Sequence, residues 1–359
     1  MKKEILKKLM VGMLIAVMAF SLTACGGSEG GNDTGSDSVS DTSSDGVITV
    51  GFSQVGAESD WRTANTESMK TTFSEANGYK LIFDDAQQKQ ENQLSAIRNF
   101  IQQDVDYIVL APVTETGWDT VLQEAKDAGI PVIIVDRMVD VKSEDLYTAW
   151  VGSNFELEGK KAAAYLKAYL EAKGKTDAAK IVDIQGTIGA SAQIGRTKGL
   201  EEGVSANSWN LLDKTTGEFT QTKGQEVMES FLKKYKKDID VVYCENDNEA
   251  FGAIDAIKAA GYSVGADGDM MIFSFDSTNA GLKEVKDGRI TLNTECNPLH
   301  GPRVEKIIEQ LENGETPEKQ AYVDEEMFAH DDTVKSVTVD GTEYPVTVVT
   351  DEVIGQRKY

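Results

Sequence analysis

Pro131-Val-Ile-Ile-Val-Asp-Arg137 is the segment that indicates the fold class of this chain most clearly. Its β-branched run, Val132 to Val135, is apolar on both faces, which is typical of a strand in a parallel sheet covered by helices. The preceding segment predicts the end of a helix, with Gly129 at its C-cap. Ligands of open α/β sheets bind beyond the carboxyl ends of the strands. Asp136 and Arg137 are therefore candidates for binding a small polar molecule, although an ion pair that closes the strand would give the same pattern.

The alternation of short apolar runs and amphipathic helices extends from this strand in both directions. Upstream, strands are predicted at residues 47–53, 79–83 and 105–110, and each is followed by a helix. Such alternation predicts a doubly wound parallel sheet. It starts again near residue 147, and predicted strands continue as far as residue 295. The chain is therefore predicted to be an α/β protein with two doubly wound parallel-sheet lobes in series and a cleft between them.

Length and composition limit the function classes. The chain has 359 residues, enough for two domains, and a net charge of −24, which disfavours binding to nucleic acid. It lacks a phosphate-binding glycine motif, and its two histidines, His300 and His330, do not have the spacing of metal ligands. No cofactor and no metal are therefore predicted. Cys244 and Cys296 could form a disulfide or remain free thiols, and the sequence leaves both possibilities open.

The first residues have the organisation of an export signal. A basic segment at residues 2–8 precedes an apolar segment at 9–22, and Leu22-Thr-Ala-Cys25 resembles a bacterial lipobox. The resemblance implies cleavage before Cys25, a lipid on its sulfur, and an anchor at the outer face of the cytoplasmic membrane. An ordinary secretory signal with a coincidental cysteine is the alternative. Residues 26–46, almost entirely Gly, Ser, Asp and Thr, are predicted to form a flexible tether.

Polar and aromatic side chains gather at or just beyond the predicted strand ends of both lobes. They are Trp61, Arg62, Asp136, Arg137, Arg196, Phe219, Asn246, Asp276 and Glu295. Sugar hydroxyls both donate and accept hydrogen bonds, so carboxylates, amides and guanidinium groups can bind them in arrays, while the apolar ring faces pack on aromatic side chains. Each residue alone is more often a solvated strand end than a ligand contact. The combined set predicts a sugar-binding cleft.

Several stretches of the chain support this interpretation by their resemblance to a known family. They are Val50-Gly-Phe-Ser-Gln-Val55, Ala86-Gln-Gln-Lys-Gln-Glu-Asn-Gln93, Ala111-Pro-Val113, Val135-Asp-Arg137, Gln185-Gly-Thr187 and Val227-Met-Glu-Ser-Phe231. From Ile48 to about Asn313 the chain resembles the type 1 periplasmic sugar-binding proteins of ABC importers, the ribose- and galactose-binding family, and it looks especially like the galactofuranose-binding member. The resemblance implies two lobes joined by a hinge of three segments.

The resemblance also implies roles for the hydrogen-bonding residues of the set. Asp136 and Arg137 would bind sugar hydroxyls from the first lobe. Arg196, Asn246 and Asp276 match family positions that hydrogen-bond the sugar from the second lobe and the hinge.

The remaining members of the set have implied roles as well. Trp61 and Phe219 would enclose the sugar ring between them. Glu295 stands where the ribose-binding proteins have Gln, and Arg62 stands near their second aromatic residue. Both departures point away from plain ribose.

The predicted function is capture of a galactofuranose- or galactose-like monosaccharide by a monomeric lipoprotein that delivers it to the permease of an ABC transporter. The hinge is predicted at residues 150–154, 275–278 and 295–298. Accordingly, the predicted divisions are signal peptide 1–24, lipidated tether 25–46, first lobe 47–152 with about 277–296, and second lobe 153–276 with about 297–359.

A sugar sensor that signals to a membrane receptor would use the same site. A glycosidase that used Asp84 with Asp85, or Asp136 with Glu295, is the enzyme alternative.

Overall fold

The computed structural model describes residues 46–175 and 178–359. The predicted signal peptide, Cys25 and the predicted tether up to residue 45 lie outside these residues. Asp45–Tyr359 forms one compact unit that contains both lobes. Within the described residues, no helix is both long enough and apolar enough to cross a membrane.

The first lobe is built from the alternation that the sequence predicts. Its elements are β1 (Ile48–Gln54), α1 (Asp60–Thr72), β2 (Tyr79–Asp85), α2 (Gln90–Gln102), β3 (Tyr107–Leu110), α3 (Asp119–Asp127), β4 (Val132–Val135) and β5 (Ala149–Gly152), with 3₁₀ turns at Glu75–Asn77 and Glu144–Leu146. Every residue of β3, β4 and β5 is buried, because helices cover both faces of the sheet. The C-cap of α3 is Ala128, one residue before the predicted Gly129, and Gly129 follows it with a φ of +70°.

The alternation continues into the second lobe and returns to the first near the C-terminus. The next elements are α4 (Phe155–Ala172), β6 (Lys180–Gln185), α5 (Ser191–Asn207), β7 (Asn210–Thr216), α6 (Gln221–Tyr235), β8 (Val241–Cys244), α7 (Asp247–Ala259), β9 (Met271–Asp276), α8 (Asn279–Lys286), β10 (Leu292–Glu295) and α9 (Gly301–Glu312). The last elements are β11 (Gln320–Tyr322), β12 (Met327–Ala329), β13 (Ser336–Val339), β14 (Thr342–Pro345), β15 (Thr347–Val348) and α10 (Asp351–Gln356).

Two sheets form the centres of the two lobes. The first has the strand order β11-β5-β4-β3-β1-β2, and the second has the order β15-β12-β10-β9-β8-β6-β7. The first sheet is parallel throughout, and the second is parallel except where β12 pairs antiparallel with β10. The predicted fold class, two doubly wound α/β lobes, is confirmed.

The lobe boundaries differ from the predicted ones. The chain passes between the lobes at residues 152–155, 295–301 and 322–327, whereas the predicted crossing at 275–278 joins β9 to α8 within the second lobe. Strand β10 belongs to the second sheet, and α9 packs on α1 in the first lobe through its apolar face. The predicted assignment of these two elements was therefore reversed. The alternation of strands and helices cannot reveal which lobe an element joins, because its apolar face would look the same in either lobe.

Candidate ligand-binding cleft

A cleft of about 280 Å³ lies between the lobes, at the carboxyl ends of their strands. It is lined by Glu58, Ser59, Trp61, Arg62, Asp136, Arg137, Phe155, Ala192, Arg196, Phe219, Asn246, Asp276 and Cys296. Eight of the nine predicted site residues are in this set, and none of the eight is more than 4% exposed. The cleft is therefore enclosed by both lobes, as in the closed state of a hinged protein.

Unusual backbone conformations place three of these residues. Asp136 follows β4 with a φ of +62°, Asp276 ends β9 with a φ of +99°, and Phe219 follows β7 with a φ of +61°. Positive φ is unfavourable for residues other than glycine, and such strain concentrates at functional sites. The shared backbone feature indicates that all three positions are built for a role in the cleft.

Two arginines and two acids form the first-lobe wall. Arg62 Nη2 lies 2.9 Å from Asp136 Oδ2, and Arg62 Nε donates to Glu58 Oε1 at 2.9 Å. Burial alone would lower the pKa of Arg62, but Asp136 and Glu58 hold that pKa above its ordinary value. Burial and the neighbouring Arg62 lower the pKa of Arg137 to about 10, which leaves Arg137 cationic at neutral pH. Arg137 Nη1 donates to Val113 O at 2.9 Å. This wall therefore presents fixed donors and acceptors together.

The second-lobe wall is organised around Arg196. Its Nε donates to Glu158 Oε2 at 2.7 Å, its Nη1 donates to the carbonyl of Glu245, and its Nη2 lies 3.7 Å from Asp276 Oδ1. Burial raises the pKa of Asp276 well above its usual range, although Arg196 opposes this shift. Asn246 caps α7 by accepting from Glu249 N at 2.8 Å, and its amide donates to Phe219 O at 3.0 Å. These contacts hold the polar groups in one geometry.

Aromatic side chains supply apolar surface on the two sides of the cleft. Trp61, Phe155 and Phe219 belong to one buried apolar cluster, and the Arg137 guanidinium lies 5.1 Å from the centre of the Phe219 ring. Trp61 Nε1 donates to Cys296 O at 2.6 Å. Gly186 is required beside Phe219, because a Cβ there would lie 1.9 Å from Phe219 Cζ. This arrangement has the aromatic faces that packing against a sugar ring needs.

Glu295 is the predicted site residue that does not line the cleft. Its Oε1 accepts from Arg357 Nη1 at 2.6 Å and from the Tyr359 hydroxyl at 2.7 Å, and its Oε2 accepts from Glu326 N at 3.0 Å. The C-terminal segment therefore occupies this carboxylate. The predicted assignment of Glu295 to the sugar site is therefore corrected. The prediction considered only residues near strand ends, and Arg357 and Tyr359 lie more than 60 residues further along the chain.

Four lining residues with side chains suited to the site were not predicted. Glu58 and Ser59 directly precede the predicted Trp61 and Arg62, and Ser59 caps α1 by accepting from Arg62 N at 3.1 Å. Phe155 begins α4 just after the end of β5, and Cys296 follows β10. Their positions beyond strand ends were the available signal.

Cys244 and Cys296 are both buried free thiols, so the two residues do not form the disulfide that the sequence left open.

Direct contacts between the lobes close the rim of the cleft. Asp60 N donates to Asn248 Oδ1 at 3.0 Å, Glu115 N donates to Gly189 O at 2.9 Å, and Met138 N donates to Ser191 Oγ at 2.9 Å. In each pair, the donor belongs to the first lobe and the acceptor to the second. The closed arrangement therefore has contacts of its own besides those that a ligand could add.

Two α/β lobes, three crossing segments and an enclosed cleft with polar and aromatic walls define the class of two-lobed proteins that bind small polar ligands. The chain belongs to the periplasmic binding protein family, whose domain matches residues 50–295.

Similar proteins agree with this class. The galactofuranose-binding protein YtfQ of Escherichia coli (strain K12) is 42% identical over 288 residues, which cover 79% of this chain and 88% of that protein. A Mycobacterium smegmatis structure in complex with β-D-fucofuranose has 43% identity and a TM-score of 0.75, covering 80% of this chain and 93% of that one. The binding protein of the arabinose ABC transporter of Shewanella sp. ANA-3, bound to α- and β-L-arabinofuranose, has 39% identity, a TM-score of 0.74 and the same coverage. The first and the third are described as binding proteins, and the second is a complex with a sugar.

Proposed function

We propose that this protein captures a monosaccharide in the interlobe cleft and delivers it to an ABC importer on the outside of the cytoplasmic membrane. The observation that carries the proposal is the composition of the enclosed cleft. Two arginines and Asp136 line one wall, Arg196 and Asp276 line the other, and the aromatic rings of Trp61, Phe155 and Phe219 also line the cleft. Sugar hydroxyls can satisfy these donors and acceptors simultaneously, and the C–H faces of the ring can pack on Trp61 and Phe219.

The ligand is a sugar in its five-membered ring form. The relatives named above bind galactofuranose, fucofuranose and arabinofuranose, as their names and titles state. A galactofuranose-like sugar is therefore the proposed ligand.

Transport rests on closure of the lobes. A ligand that contacts both walls favours the closed form by its differential affinity for that form. The permease would then recognise the closed lobes. Lipid attachment at Cys25 would keep the protein at the membrane, since Leu22-Thr-Ala-Cys25 has the sequence of a lipoprotein processing site.

The glycosidase alternative loses its main support. Asp136 lines the cleft, but Glu295 does not and is bound by Arg357 and Tyr359. Asp84 and Asp85 are also absent from the cleft lining. Neither of the two carboxylate pairs named for this alternative therefore faces one ligand position.

A thermal-shift screen tests the proposal. Residues 45–359 are heated with aldopentoses and aldohexoses, including a source of galactofuranose. A sugar that binds the folded protein adds about 2.7 kcal/mol of stability at about 100 times its dissociation constant. We expect a clear rise in the unfolding midpoint with a furanose sugar and none with Asp136→Ala, which removes an acceptor at the end of β4. No shift with any sugar would overturn the proposal.

A further inference from the structure

One carboxyl group links the three segments that connect the lobes, because it belongs to one segment and accepts hydrogen bonds from the other two. Glu325 lies in the crossing between β11 and β12, and its Oε1 accepts from Ser153 Oγ at 2.6 Å and from Asn297 N at 2.8 Å. Ser153 and Asn297 belong to the other two crossings. Residue 325 is half-buried as a whole, but its carboxyl group is enclosed by protein. Glu325 is therefore placed to hold the crossing segments in one relative arrangement.

A second carboxyl group lies beside it and leads to the cleft. Glu158 on α4 is 1% exposed, and its Oε2 accepts from Arg196 Nε at 2.7 Å. An oxygen of Glu158, an oxygen of Glu325 and the Sγ of Cys296 all lie within 4.8 Å of one another. Among the described residues, no donor reaches Glu158 Oε1. The two carboxyl groups are therefore neighbours, and Glu158 Oε1 is a buried acceptor that lacks a hydrogen-bond donor.

Two neighbouring buried carboxyl groups share a proton more readily than they both ionise. Two cations lie near the pair: Arg196 on the Glu158 side, and Lys161, whose Nζ donates to Glu325 O at 3.0 Å. The other titratable groups around the pair are the Cys296 thiol and the acids Glu295, Asp324, Asp276 and Asp136. Glu158 meets Arg196 directly, so it is the better site for the negative charge.

The position of the proton follows from the remaining hydrogen bonds. Oε1 of Glu325 already accepts two hydrogen bonds, which leaves Oε2 as the atom that can carry hydrogen. Burial and the adjacent Glu158 raise the pKa of Glu325 well above its usual range. Burial also raises the pKa of Glu158, but there Arg196 opposes the shift.

We propose that Glu325 is a neutral carboxylic acid that donates to Glu158, and that the two are positioning residues which fix Arg196 in the cleft and couple it to the three crossing segments. The inference rests on the proposed function only for the identity of the ligand. Glu158 and Glu325 do not touch the ligand, because neither lines the cleft. They act through the guanidinium of Arg196.

Sugar titrations of three variants of residues 45–359 test the proposal with the sugar found in the screen. Glu325→Gln keeps a carbonyl acceptor for Ser153 and Asn297 and places an amide donor toward Glu158, so we expect an affinity within about 2-fold of the parent. Glu325→Ala removes both functions and should weaken binding by about 10-fold. Glu326→Ala is the matched control, because this neighbouring side chain is exposed, and it should leave the affinity unchanged.

Two results would overturn the inference while the proposed function stands. Equal losses in Glu325→Gln and Glu325→Ala would show that a charged Glu325 is needed. Binding by Glu325→Ala with the parent's affinity would show that the pair does not position Arg196. A parent protein that binds none of the sugars would instead count against the proposed function.

Unfolding midpoints without ligand test the proton independently. Because the pKa of Glu325 is raised in the folded protein, its stabilising contribution is complete below the ordinary carboxyl range and is lost as the pH rises through the folded-state pKa. Glu325→Gln cannot lose this proton. Its stability should therefore rise relative to the parent as the pH is raised from about 4, the ordinary carboxyl pKa, to about 8. A constant difference across that range would overturn the shared proton whether or not a sugar binds.

Discussion

The strands β9 and β10 both end in a residue with a carboxylate side chain, but only one of the two carboxylates lines the cleft. The two strands are parallel neighbours, and Asp276 and Glu295 are register partners. Asp276 lines the cleft near Arg196, and burial raises its pKa. Burial alone would also raise the pKa of Glu295, but Arg357, the Glu326 amide and the Tyr359 hydroxyl hold it below its ordinary value.

Backbone conformation and competing partners account for the difference. Asp276 has a φ of +99° at the end of β9, and its Oδ1 lies 3.7 Å from Arg196 Nη2 in the cleft. Glu295 instead meets the C-terminal segment, where Arg357 also stacks on Phe328 at 4.7 Å. Glu295 is thus unavailable to a ligand in the cleft, because the C-terminal segment already binds its carboxylate.

The largest expected effect comes from removing the acid that faces the cleft. Asp276→Asn keeps the shape and tolerates positive φ, but it replaces an acceptor oxygen with a donor opposite Arg196. We expect the dissociation constant of the sugar to rise about 100-fold in a calorimetric titration, as for the loss of a buried charged hydrogen bond. Retained affinity would remove Asp276 from the binding set.

The next effect concerns the partner of Glu295. Arg357→Ala leaves a buried carboxylate without its cation and removes the stacking on Phe328, so we expect a loss of about 2 kcal/mol in the free energy of unfolding in urea. The exposed Lys358→Ala is the neighbouring control and should have little effect. If both variants unfold at the same urea concentration as the parent, the C-terminal segment does not stabilise the second lobe.

Glu295→Gln sharpens the comparison at the same register position as Asp276→Asn. It should bind sugar with the parent's affinity, because its side chain is outside the cleft, and it should lose about 1 kcal/mol of stability through weaker contacts with Arg357. Sugar titration and urea unfolding of the same preparation measure both quantities. A large loss of affinity would restore Glu295 to the sugar site.

The smallest effect is a dependence on pH. Since the pKa of Glu295 is lowered in the folded protein, its contribution to stability is present above the ordinary carboxyl range and is lost as the pH falls through the folded-state pKa. The stability difference between the parent and Glu295→Gln should therefore shrink as the pH falls from about 7 to about 3. A difference that grows on acidification would contradict the lowered pKa.

The strand ends show how far the sequence could predict the site. Asp136 and Arg137 follow a run whose apolar pattern fixes β4, and the structure places both in the cleft. Glu58 was missed, since nothing in its local sequence shows that it accepts from Arg62. The crossing at residues 322–327 was missed for a similar reason, because the short strands β11 and β12 differ in lobe but not in pattern.

The α/β alternation, the existence of two lobes and most of the polar set at the strand ends could be read from the sequence. These follow from apolar periodicity and from chain direction, which are local properties. The three-dimensional structure was needed to show which lobe α9 and β10 join, that Cys244 and Cys296 remain free, and that Glu295 binds the C-terminal segment. Each of these depends on contacts between residues far apart in the chain, and local periodicity carries no information about such contacts.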